Sequence, residues 1–159
     1  MNRGFTLIEV LVSFVIITTV AVIGVSSLIR FRDSRALDIE ADKIISTLRQ
    51  AQSKARNQED NTRWGVYFHN SINDNYTLFQ VDEGQVGILD MPSTGVSEVT
   101  TRLASEVIFL DPAESSFKTV LFSKGTGLPN NPATIIISRI DNEFTANLIV
   151  SEQGLIEKE

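Results

Sequence analysis

Few side chains in this sequence are equipped for chemistry, and their positions say where to look first. An acid, Glu9, stands at the start of an uncharged apolar run from Val10 to Ile29, roughly 20 residues, about what a helix needs to cross a bilayer's hydrocarbon core. A carboxylate at that depth costs about 2.5 to 3.5 kcal/mol on insertion scales, so Glu9 needs a partner or an interfacial position. His69 is the single histidine. It falls in a polar turn, where a solvated loop residue is expected ahead of a general base or ligand. The absence of cysteine removes disulfides, thiolate metal sites and cysteine nucleophiles together. Asp74, Asp82 and Glu83 carry enough charge for calcium but lack the close alternation of a binding loop, so a solvated acidic edge is expected. Gly125-Thr126-Gly127 lacks the lysine and helix start of a phosphate-cradling loop and reads as a turn before a strand. Trp64, Tyr67, Phe68, Tyr76 and Phe79 could stack on bases or sugars, yet on alternating strands about half should point inward, and core packing is expected. No catalytic residue, cofactor site or metal site follows, and the chain reads as a protein that is not an enzyme.

The string Gly4-Phe5-Thr6-Leu7-Ile8-Glu9 at the mouth of the apolar run resembles the processing site of type IV pilins and the related pseudopilins. The resemblance implies that a prepilin peptidase cuts after Gly4, that Phe5 becomes an N-methylated amino terminus, and that Glu9 guides assembly. Cleavage would leave a cationic amine at Phe5 and an anionic carboxylate at Glu9 on one short apolar segment. When subunits stagger along a filament, the amine of one can meet the carboxylate of the next, and a desolvated pair is far stronger than the same pair in water. Other pilin subunits, an inner-membrane assembly platform and a separate motor ATPase are the further partners implied. So is a path from single-pass precursor in the cytoplasmic membrane to an extracytoplasmic filament, either a pilus or the pseudopilus of type II secretion. Many pilins close their carboxy-terminal region with a disulfide; this sequence cannot, which leans towards a minor pilin, a pseudopilin or a lineage that does without the bridge.

Met1-Asn2-Arg3-Gly4 is a short basic stub, and the apolar run continues well past the core of an ordinary secretory peptide. Arg30, Arg32 and Arg35 at the far end would by themselves favour a cytoplasmic carboxy-terminal domain. The pilin-like leader implies the opposite, with the globular part outside, and that reading is adopted. Within the run, Ser13, Thr18, Thr19, Ser26 and Ser27 can each bond back to a carbonyl of their own helix. Gly24, followed by Val25-Ser26-Ser27, could supply a soft bend.

From Ser34 to about Asn57 the pattern becomes amphipathic. Leu37, Ala41, Ile44, Ile45, Leu48, Ala51 and Ala55 recur at three- and four-residue steps and form one stripe. The sequence therefore predicts one helix from Phe5 to Asn57, about 53 residues and on the order of 80 Å long. Beyond it, Arg63–Phe68 and Tyr76–Val81 read as a hairpin across the turn-like His69–Asn75, and Val86–Leu89 as a short strand in a Gly- and Pro-rich region. Strand signals return at Val107–Leu110, Thr119–Ser123, Thr134–Ile140 and Phe144–Val150, the last two joined through Asp141-Asn142-Glu143, with Gly154-Leu155-Ile156 opening a final strand.

The expected fold is α+β: a long amino-terminal helix, membrane-spanning in its first half and amphipathic in its second, packed on an antiparallel β-sheet head. This layout is similar to that of minor pilins and the H-type pseudopilin. The expected division is a leader over 1–4, a transmembrane or filament-core helix over 5–29 and the head over 30–159. The net charge of -6, with Arg102, Lys118, Lys124 and Arg139 scattered, argues against a nucleic-acid surface. The function expected is that of a structural filament subunit assembled through its apolar helix. The alternative is a bitopic, membrane-anchored extracytoplasmic binding domain that does not polymerise.

Overall fold

Residues 6–82, 97–141 and 144–159 are described by a computed structural model, the side chains of 23–33, 97 and 98 excepted. The expected strand at Val86–Leu89, Glu83, and the turn residues Asn142 and Glu143 lie outside the described residues. The chain divides into two compact units, Met1–Ala36 and Leu37–Glu159.

Helix α1 (Leu7–Arg56, 50 residues) matches the span read from the sequence and is helical through Gly24. In the first unit the side chains from Thr6 to Val22 are exposed and mostly apolar, with Leu7, Ile8, Val10, Phe14 and Ile17 among them. The membrane crossing expected of this half is corrected: among the described residues no helix is long and apolar enough to cross a membrane. The single-pass precursor stage, and assembly through a spanning helix, are withdrawn with it.

The second unit holds the predicted stripe: Leu37, Ala41, Ile44, Ile45, Leu48, Ala51 and Ala55 are all buried. They share one core with the inward faces of two four-stranded antiparallel sheets. In the first sheet, β1 (Arg63–His69) lies between β2 (Asn75–Val81) and β5 (Phe117–Phe122), with β3 (Ser97–Arg102) on the outer side of β2. In the second, the order is β4 (Val107–Asp111), β6 (Ala133–Arg139), β7 (Thr145–Val150) and β8 (Ile156–Lys158). Both predicted hairpins form, β1 with β2 in the register Arg63 to Val81 and β6 with β7 in the register Ala133 to Val150.

Alternation along β1 sends Trp64, Val66 and Phe68 to the main core, while Tyr67 joins Phe79 and Val81 in a smaller cluster on the other face. The aromatic residues considered for stacking are therefore buried side chains. Two strands differ from expectation. Strand β3, Ser-Glu-Val-Thr-Thr-Arg, is an edge strand with one apolar residue, and edges carry polar and charged side chains that hide the alternation. The last strand begins at Ile156 rather than Gly154, because Gly154 takes φ +79° in a turn closed by Gly154 N–H donating to Ser151 O at 2.9 Å.

Candidate functional site

At the start of α1 the backbone N–H of Thr6 donates to Glu9 Oε2 at 2.9 Å, and the Thr6 hydroxyl donates to the same oxygen at 2.9 Å. In return Glu9 N–H approaches Thr6 Oγ1 at 3.4 Å. This is the reciprocal capping arrangement of Thr-x-x-Glu, which satisfies donors that a helix start leaves without partners. The pattern was present in the sequence as Thr6-Leu7-Ile8-Glu9, and the reading of Glu9 as an acid in search of a partner passed over it. The Thr6 backbone bond first, then its hydroxyl bond, holds the Glu9 carboxyl below the usual glutamate range. Glu9 thus stands ionised and exposed at the helix start, oriented by the residue three positions before it. Downstream hydroxyls are spent within the helix, as expected: Ser13 donates to Glu9 O at 2.7 Å and Thr19 to Val15 O at 2.8 Å. Gly4 and Phe5, the expected cleavage and methylation positions, lie outside the described residues.

The other candidates have structural employment. Asp74 accepts Ser71 N–H on Oδ1 and Phe109 N–H on Oδ2, both at 2.9 Å, so each oxygen considered for calcium already has a donor. Beside it the buried Asn70 donates from Nδ2 to Phe109 O at 2.9 Å and Pro112 O at 2.7 Å, and the two residues tie the β1–β2 loop to β4. Asp82 is exposed, and among the described residues no three His, Asp or Glu side chains gather as a metal set. His69 packs its ring 6.0 Å from Tyr67, which stacks on Phe117 at 5.6 Å. The Gly125–Gly127 turn serves the helix: Gly125 N–H donates to Ala55 O at 2.9 Å, satisfying a carbonyl at the end of α1. Of the scattered cations, Lys118 pairs with Asp111 and Arg139 with Asp141. The single tryptophan, fully buried, donates from Nε1 to Glu59 O at 3.1 Å under the Lys54 ammonium, 4.1 Å from its ring centre.

Residues 1–25 match the model of the prokaryotic N-terminal methylation motif. The fold of the chain is similar to that of the minor pseudopilin EpsH from the type 2 secretion system of Vibrio cholerae. That likeness has a TM-score of 0.53 and 16% identity, over 77% of this chain and 95% of the other. No curated protein matches the chain. The motif match spans the cap: Thr6 and Glu9 belong both to the methylation motif and to the start of α1.

Proposed function

We propose that the protein is an extracytoplasmic pseudopilin-type component of a pilus- or pseudopilus-type secretion system, cut after Gly4 by a prepilin peptidase and methylated at Phe5. It works by packing, with no catalysis of its own. The observation that carries this reading is the methylation motif over residues 1–25, which sets Glu9 four residues after the prospective amino terminus. The geometry at Glu9 supports it. Among the described residues both bonds to the carboxylate fall on Oε2, and the exposed Glu9 carboxylate is available to a cationic group of a neighbouring subunit, such as the amine freed at Phe5. Such a pair gains strength where water is excluded. Kindred subunits, an assembly platform and a separate motor ATPase are the partners this role requires.

The test is the mass and amino-terminal sequence of the protein isolated from cells that contain a prepilin peptidase. Chains beginning at N-methylated Phe5 are expected, and Gly4→Leu should leave Met1 in place because the peptidase must approach that backbone closely. Recovery of intact Met1 from the unaltered protein would overturn the reading. Glu9→Ala should be cut and methylated as before yet fail to enter assemblies.

A further inference from the structure

We propose that Gly154–Glu159 is a detachable strap, held along the flank of α1 by polar contacts, that lifts as a unit and opens the edge of the second sheet while the rest of the head stays folded. The strap runs beside the helix in the opposite direction. Gln52 Nε2 donates to Gly154 O at 2.7 Å, Arg49 donates to Ile156 O at 3.2 Å, and Lys158 Nζ reaches Asp38 Oδ1 at 3.1 Å and Asp42 Oδ1 at 3.4 Å. Positions 38, 42, 49 and 52 form one polar stripe beside the buried apolar one, so the helix offers a row of hooks matched to alternate residues of the strap.

Among the described residues little else holds it. Strand β8 is three residues long and its one buried side chain is Ile156. Leu155, Glu157 and Glu159 are exposed, and the side chains of Asp38 and Asp42 are 56% and 70% exposed, so their pairs with Lys158 are screened by salt. The ladder to β7 is continued by Asn147 and Glu159, which exchange N–H···O bonds at 3.1 and 2.9 Å, and is closed by Ser151 N–H to Leu155 O at 2.9 Å. Segments with few buried apolar contacts and exposed hydrogen bonds open well below the global unfolding free energy. On lifting, the N–H and C=O groups of Asn147 and Ile149 in β7, and of Ser151 just beyond it, lose their partners, and the sheet gains a free edge.

Residue-resolved hydrogen exchange on the full chain, kept dispersed in a nonionic detergent, tests this. The amides of Asn147 and Ser151 are informative because they sit outside or at the end of β8's own backbone and are freed only when the strap leaves. They and Glu159 should exchange at least on the order of tenfold faster than the amides of β6, and faster still as sodium chloride is raised. The double substitution Asp38→Asn with Asp42→Asn should accelerate these amides by roughly threefold to tenfold at low salt and abolish the salt effect, leaving β6 unchanged. Exchange of the strap amides in step with β6 at every salt concentration would overturn the proposal. The salt series on the unaltered chain decides the matter if the double variant folds poorly.

Discussion

A single carboxylate, Glu9, closes a cap on its own helix and stands ready for a partner, and the two roles are separable by titration. Because the Thr6 bonds hold its folded pKa below the ordinary value, the cap's contribution is complete above that value and is lost as pH falls through the depressed one. Carboxyl NMR should place the Glu9 transition below the usual glutamate range, and Thr6→Ala, which keeps the backbone bond and removes the hydroxyl, should move it part of the way back. A Glu9 transition unmoved by Thr6→Ala would mean that the hydroxyl bond is absent in solution. Asp74 makes a different demand. Its replacement by Ala strands two backbone N–H groups, Ser71 and Phe109, and should cost roughly 1–3 kcal/mol in urea unfolding. With both oxygens already engaged, millimolar calcium should leave the thermal midpoint of the unaltered protein where it was.

Elements whose pattern is local were readable, and those that depend on distant partners were not. The apolar stripe of α1 was visible because helical periodicity is written within each turn, and every residue assigned to it is buried. The hairpins β1–β2 and β6–β7 were visible for the same reason. Strand β3 exists because β2 lies beside it, and the anchoring of Asn70 and Asp74 depends on residues some 35 or more positions away. No window of sequence holds that information. The membrane expectation is a different case: it was a count of uncharged residues to Ile29, and among the described residues no helix is long and apolar enough to cross a membrane. Within the first sheet, Gly65 is the position with no tolerance. A Cβ there would lie 2.7 Å from Val120 O and 3.1 Å from Leu121 Cδ1, and a ladder carbonyl cannot retreat. Gly65→Ala should therefore lower stability by about 1–3 kcal/mol, followed through the fluorescence of the neighbouring Trp64.

For the whole molecule, the ledger of the core is one-sided. Among the described residues, every member of the main apolar cluster lies at Leu37 or beyond, and the apolar side chains from Leu7 to Val22 are exposed. Cooperative unfolding reports the loss of shared burial, so the first unit should contribute almost nothing to the transition of the second. A chain lacking residues 1–33 keeps the whole stripe from Leu37, both sheets and the strap contacts at Asp38, Asp42, Arg49 and Gln52. It also begins at Ser34, a residue suited to cap the shortened helix. Its urea unfolding free energy is expected within about 0.5 kcal/mol of the full chain's, with the same steepness, and without the need for detergent. A broadened or vanished transition would show that the head draws its stability from the apolar half of α1. In that case the second unit would not be a fold in its own right, and the likeness to a pseudopilin head would no longer describe a part able to stand alone.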